Sequence, residues 1–415
     1  MAIIKPFRAI RPVPHLAQQV AALPYDVMNS EEARELAKYN PYSFLHVDKA
    51  EIDLDSSISV YDERVYEKAK ENLEQMIRDE VFIQEENPCL YIYQLSMNNS
   101  SQTGIACCTS IDDYLNNTIK KHEHTRPEKE LDRIRHVDAC NANTGPIFMT
   151  YRYNQRIQDI VANWIQNHSP LFQFTAEDGV THALWTIDEA TTIRNVTELF
   201  LQVDALYIAD GHHRSASAVK VGLKRREQYP TYTGEEEFNF FLSVIFPANE
   251  LHILDYNRIA KDLNGLSVDE LLQEVAKEFF VTTAATSPFR PTEKHSFGMY
   301  IDGTWYHLRA KEGIFNPTDP VGRLDVSILQ TRLLSPILGI TDPRIDKRID
   351  FIGGIRGLHA LEAAVDSKEW AVAFSMHPTT MDDLLTIADA AEVMPPKSTW
   401  FEPKLRSGII IHSLS

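Results

Sequence analysis

The chain has 415 residues, 43% of them hydrophobic, with 41 Lys plus Arg against 59 Asp plus Glu and a net charge of −18. This length suits a globular protein of roughly two or three domains, and the acidity argues against a broad nucleic-acid-binding face. No apolar run approaches the roughly 20 residues of a membrane-spanning helix, and the start MAIIKPFRAIRP lacks the apolar stretch and cleavage site of a secretory signal, so a cytoplasmic protein with no membrane partner is expected.

In chain order, IIKPFRAIRP alternates like a strand, and LPYDVMNSEEARELAKYNPYSFLHVD reads as loop, helix and strand. Ser30 is the expected N-cap of that helix, with Glu31 and Glu32 complementing its dipole. Residues 61–80 place Val65, Ala69, Leu73, Met76 and Ile77 at helical spacing among strong helix formers. CLYIYQLSM and GIACCTSIDDY read as strands joined across NNSSQTG in a hairpin. The cysteines are Cys89, Cys107, Cys108 and Cys140. With no CxxC spacing they read as reduced structural thiols, neither a disulfide framework nor a zinc ribbon.

A charged helix, a polar loop and a short strand follow within IKKHEHTRPEKELDRIRHVDACNANTGPIFMTYR. Then come a helix over 156–168, the strand THALWTI, a helix in EATTIRNVTELFLQ, the strand ALYIAD and a helix from RSASAVKVGLKRREQY. FFLSVIFPANELHIL reads as a buried strand. The last third adds a helix at SVDELLQEVAKEFF, a hairpin at FGMYIDGTWYHLRA, a helix near DVSILQTRLLSPIL and a final mixed stretch from WAVAFSM. Strands and helices alternate throughout, predicting a mixed α/β (α+β) fold. The expected regions are residues 1–118, 119–260 with an insertion at about 150–200, and 261–415.

Chemistry concentrates in IADGHHRSASA. An apolar strand ends at Asp210, Gly211 permits close backbone approach, and a helix follows. The unpaired N–H groups and dipole of its first turn favour an anion there. Arg214 suits bidentate contact with phosphate, and His212 and His213 add donors. Asp210 would cap the helix or hold a hydrated Mg²⁺ bridging phosphate oxygens. The same residues also suit a simple capped turn with a surface ion pair. In KHEHTRPEKELDRIRH, His122 and His124 would share a face of an extended segment and hold a metal with Glu123 or Asp132; the alternative is a solvated helix, because Glu128, Lys129, Asp132 and Arg133 are ordinary helical neighbours. FIGGIRGL lacks the Walker lysine and reads as a turn into a helix. In MPPKSTWFEPK, Lys397, Ser398 and Lys404 come within reach of an anion, while Pro395 and Pro396 equally suit a rigid loop packing Trp400 and Phe401. Asp26 in LPYDV suits pocket lining and turn capping alike.

Taken together, LPYDV, KHEHTRPEKELDRIRHVDACNANTGPIF, ADGHHRSASA and MPPKSTWFEPKLRSGIII resemble, in order and over essentially the whole chain, the domain of unknown function 1015 family (DUF1015). More distantly, the middle of the chain resembles the ParB/sulfiredoxin-like superfamily, whose free-serine kinases carry a DGHHR motif after a strand, here Asp210 to Arg214. Those kinases also have an upstream His-Glu pair leading into a helix and a Pro-Ile strand, matched by His122, Glu123, Pro146 and Ile147. By resemblance, Glu123 and Asp210 become the catalytic candidates, with Glu123 as base, and Gly211, His212, His213 and Arg214 become the nucleotide-phosphate site. His122, His124, Thr125, Asp132, Arg133, Asn143 and Lys397 become substrate or supporting positions.

The sequence departs from the compact members in the long stretch between Ile147 and Asp210. It lacks the sulfiredoxin cysteine, and no basic helix-turn-helix marks a DNA-binding clamp. The resemblance implies ATP or ADP as phosphoryl donor, Mg²⁺ at Asp210 carried by the nucleotide, and a small hydroxylated acceptor with free serine first. A nucleotide-binding or nucleotide-hydrolysing regulatory module, and a metal-dependent hydrolase built from His122, His124, Asp210 and His212, are the alternatives.

Overall fold

The computed structural model describes residues 1–415. By its internal contacts the chain divides into two compact units, the first made of Met1–Leu251 and Pro403–Ser415, the second of His252–Glu402. Both mix helices with sheets. The strands on either side of residue 118 share one sheet in the first unit, and the chain changes unit at 251/252 and 402/403.

The first unit is organised by a nine-stranded sheet. Its strands run in the order Ile119–Lys120, Leu206–Asp210, Ile147–Tyr151, Phe240–Pro247, Ser100–Ser110, Leu90–Met97, Thr181–Ile187 and Phe172–Thr175, with Ile4–Lys5 also against Ser100–Ser110. Two neighbouring pairs are parallel, Leu206–Asp210 with Ile119–Lys120 and Phe240–Pro247 with Ile147–Tyr151. Ile92, Ile105, Cys107, Met149, Phe200, Ile208 and Ile245 are among the residues of its core. The hairpin Leu90–Met97/Ser100–Ser110 turns on Asn98 and Asn99, both at positive φ (51° and 63°), which asparagine tolerates better than most residues. The stretch between Ile147 and Asp210 supplies helices Gln155–Asn167 and Ala190–Phe200 and two strands that extend the sheet beyond Leu90–Met97.

Three local expectations are corrected. IIKPFRAIRP forms two short strands, Ile4–Lys5 and Ile10–Pro12, since Pro6 has no N–H to continue a ladder. Asn29, not Ser30, caps helix Ser30–Ala37: its side chain accepts from Glu31 and Glu32 N–H while Glu32 caps back, a reciprocal box stronger than a lone hydroxyl. LHVD is a helical turn, Leu45–Asp48, not a strand. Its alternation survives as burial of Phe44, Leu45 and Val47 around a turn in the small core that also takes Phe82 and Ile411.

The second unit holds a six-stranded antiparallel sheet in the order Phe279–Thr283, Thr304–Ala310, Ser296–Ile301, Val372–Met376, Tyr256–Ala260 and Ile349–Gly353. Helix His359–Asp366 packs Leu361 and Val365 into a core with Ile259, Tyr300 and Trp305. The expected helix near residue 326 is split, Asp325–Leu329 running into a wider π-helical turn at Gln330–Leu334. FIGGIRGL is a strand end and a turn before helix His359–Asp366.

Candidate functional site

The geometry at Asp210 follows from the strand that carries it. In strand Leu206–Asp210, Ile208 pairs with Met149 but Asp210 pairs with Phe148, so the register shifts across Ala209. Such a bulge bends the strand and re-aims the next side chain. Gly211 then takes φ 95°, a conformation costly for any residue with a Cβ, and helix His212–Gln228 begins immediately. A Cβ on Gly211 would stand 3.1 Å from Nε of Arg214, whose side chain folds back over the turn. The helix packs closely through Ser215, Ala216, Ser217, Ala218 and Gly222; a Cβ on Gly222 would lie 2.5 Å from the Phe238 carbonyl oxygen.

Each motif side chain has a defined partner. Asp210 Oδ1 accepts the Gly211 N–H at 2.7 Å, and Oδ2 pairs with Lys404 Nζ at 3.1 Å. Withdrawal from water raises the Asp210 pKa, but Lys404 and Arg214 outweigh it and hold the carboxyl well below its usual range. His212 Nε2 lies 3.4 Å from His122 Nε2, with the rings edge to face. Burial pushes the His122 pKa down to about 4, and burial together with His122 pushes His212 far down as well. Both imidazoles are therefore neutral at pH 7, and Nδ1 of His122 is buried without a hydrogen-bond partner. His213 Nε2 accepts the Arg126 N–H at 3.0 Å, which fixes its proton on Nδ1. Arg214 donates to the Pro146 carbonyl through Nη1, and its Nε is buried and unpartnered. Burial opposes the Arg214 charge, but Asp26, Asp210, Tyr25 and Asp48 overcome that and raise its pKa.

These ties place the upstream motif. Because Ile119–Lys120 runs parallel to Leu206–Tyr207, the chain continues past the same end of the sheet, where His122 meets His212 and Arg126 meets His213. Glu123, one residue beyond His122 and solvent-exposed, lies in the loop between these two ties. His124 is exposed in the same loop.

A cavity of about 30 Å³, space for a water or two, is lined by Tyr25, Asp48, Arg133, His136, Asn143 and Arg214 among others. Arg133 stacks 4.0 Å over Tyr25 and bonds Asp132 at 2.8 Å. Thr144 Oγ1 donates to Asp48 at 2.8 Å.

The family model described as Protein of unknown function (DUF1015) matches residues 4–327. The chain belongs to the DUF1015 family. No curated protein matches the DUF1015 chain. Among solved structures, it is similar to a conserved hypothetical protein from Pyrococcus furiosus (14% identity, TM-score 0.36, covering 73% of this chain and 93% of that one). It is also similar to a mutant free serine kinase in complex with AMP (13%, 0.37, 72% and 86%) and to C-terminally truncated SbnI from Staphylococcus aureus (12%, 0.38, 73% and 85%).

Of the positions singled out in the DUF1015 sequence, Asp210 to Arg214 and His122 come together, and Glu123 is the exposed chain neighbour of His122. Arg133 and Asn143 line the small cavity with Arg214. Asn143 Oδ1 also accepts the Leu242 N–H at 3.2 Å, tying it to the sheet. Thr125 donates to Glu130 at 2.8 Å, and Asp132 accepts from Tyr66 at 2.9 Å and from Arg133, so their polar atoms already serve the fold. Lys397 belongs to the second unit, its ammonium 5.3 Å over the Tyr256 ring.

No group of three or more His, Cys, Asp and Glu side chains stands close enough to share a metal ion. With both Asp210 oxygens engaged and His124 out in the loop, the donor set does not fit a protein-held metal centre of His122, His124, Asp210 and His212. Lys404 is a neighbour of the motif that the sequence placed only near an anion; its pairing with Asp210 spans 194 residues. Asp48 gave no signal of its own, and Tyr25 gave only its place inside LPYDV.

Proposed function

We propose that the DUF1015 chain transfers a phosphoryl group from a nucleotide to a small hydroxylated metabolite, free serine being the first candidate. The observation that carries this reading is the double tie, His122 to His212 and Arg126 to His213, which brackets Glu123 between two contacts to a glycine-opened helix N-terminus equipped with Arg214. Phosphoryl transfer needs alignment and charge stabilisation more than covalent chemistry from the protein. The first-turn N–H groups and the Arg214 guanidinium would hold phosphate oxygens, and Glu123 would take the proton of the acceptor hydroxyl.

Neutral His122 and His212 supply hydrogen-bonding nitrogen without adding charge. Asp26, Asp48 and Asp210 already surround Arg214, so phosphates would enter a site rich in carboxylates. A nucleotide-carried Mg²⁺, faced by Asp210, would offset that repulsion, with the phosphates supplying most of its ligands.

The test is mass spectrometry of products after incubation with ATP or ADP, Mg²⁺ and a panel of hydroxyl amino acids and sugars. A new phosphometabolite that disappears with Glu123→Gln is the expected result. Nucleotide turnover without any phosphorylated acceptor would replace this reading with a nucleotide-hydrolysing module. Full kinase activity in Glu123→Gln would remove the proposed base.

A further inference from the structure

The second unit contains a buried guanidinium of a different kind. Arg258, on the inner strand Tyr256–Ala260, is 4% exposed. Its polar contacts are two backbone carbonyls, Tyr256 through Nη1 and Lys397 through Nη2 at 3.0 Å, and the Phe351 ring centre lies 5.4 Å from its guanidinium carbon. No carboxylate is among these partners. Burial without a counter-ion pulls its pKa down to about 10, opposed only by Tyr256. Withdrawing a cation from water without compensation is costly, and two carbonyls engage only part of a group with five N–H donors.

Arg258 faces a cavity of about 280 Å³. Val326, Ile349, Phe351, Pro395 and Pro396 give it apolar walls. Gln330 also lines it, at the start of the π-helical turn, its amide N–H₂ held on the Ile340 carbonyl at 2.7 Å so that the side-chain oxygen is left to accept. Turns of this kind recur where a helix is widened for function. The cavity's other cation, Arg344, is matched by its own Asp342 at 2.7 Å, so the unmatched charge of the lining is a single positive one, on Arg258.

We propose that this cavity binds a compact monocarboxylate with an apolar body, its carboxylate seated on Arg258 and its body against Val326, Phe351 and the prolines. One guanidinium balances one carboxylate and can meet it bidentately. A phosphate dianion would leave excess negative charge among apolar walls. The volume falls just under the roughly 300–1,000 Å³ of pockets for drug-sized ligands, which selects a small acid.

The test is calorimetric titration of the full chain with benzoate and 4-methylpentanoate, with benzamide as neutral isostere and inorganic phosphate as the rival anion. The expected result is one saturable carboxylate site per chain, at least about tenfold tighter than benzamide. Arg258→Met should abolish it, and Thr341→Trp, a bulky group at the exposed rim, should weaken it by at least about tenfold. Thr341→Trp keeps the result readable if Arg258→Met does not fold. Equal binding of benzamide, tighter binding of phosphate, unchanged affinity in Thr341→Trp, or no binding of either acid at millimolar concentration would each overturn the proposal.

Discussion

Arg133 and Arg258 are both buried arginines, and the two units treat them in opposite ways. In the first unit Arg133 lies on Asp132 and stacks on Tyr25, next to Arg214 with Asp26, Asp48 and Asp210 around it. In the second unit Arg258 has carbonyls and a phenyl ring but no anion. The contrast separates two uses of a desolvated charge. A compensated cation is part of the fold's own balance and orients its neighbours, whereas an uncompensated one lining a cavity is completed by a ligand.

That contrast can be broken by removing each charge in turn. Arg133→Met strands the buried Asp132 carboxylate and should cost about 3–5 kcal/mol of stability, read as a lowered denaturant midpoint. Arg258→Met strands no charge, so its loss should stay within about 1 kcal/mol, because relief of desolvation offsets two lost carbonyl contacts. Equal losses in the two variants would end the distinction. Arg214→Lys keeps a cation but not the planar fork; it should lower nucleotide-dependent turnover by about two orders of magnitude with little change in melting temperature. Retained turnover would take Arg214 out of the phosphate site. Gly211→Ala forces a Cβ into a left-handed turn against Arg214 and should destabilise by about 1–2 kcal/mol, with weakened nucleotide affinity.

A pH-dependent effect sharpens the electrostatic picture of the second unit. Asp325 Oδ1 accepts the His295 N–H at 2.9 Å, while Oδ2 is buried without a partner. Burial raises its pKa to about 7, with Lys294 and the His295 N–H opposing and Asp383 assisting. The folded state therefore holds this proton from its unfolded pKa near 4 up to about 7, so the contribution of Asp325 to stability falls as pH rises through that window. Asp325→Asn should gain stability relative to the parent protein between pH 4 and pH 7 and keep a constant lead above it. A pH-independent difference in melting temperature would show that the carboxyl is ordinary.

Much of this was legible because it is local. The hairpin at Asn98–Asn99, the helix spanning Val65 to Met76 and the strand–glycine–helix order at Asp210 are each written within a dozen or so consecutive residues, through periodicity and turn chemistry. What escaped is non-local or decided by competition between neighbours. Lys404 reaches Asp210 only because the last residues fold back onto the first unit. Asn29 displaced Ser30 as cap because Glu32 closes the reciprocal bond, and LHVD became helical because its apolar residues found a core around a turn. His122 and His212 were each visible; their contact, 90 residues apart in sequence, depends on the parallel pairing of two short strands.

The return of Pro403–Ser415 to the first unit also sets an order of events during synthesis. Strand Leu206–Asp210 leaves the ribosome with its aspartate but without the lysine that balances it, and the whole second unit must emerge before residue 404 arrives. Ile409, Ile410 and Ile411 are all fully buried, and Ile411 joins a core whose other members, from Val20 to Ala142, are made well before it. The proposed phosphate site is thus completed only once residue 404 has emerged, although its motif lies near residue 210.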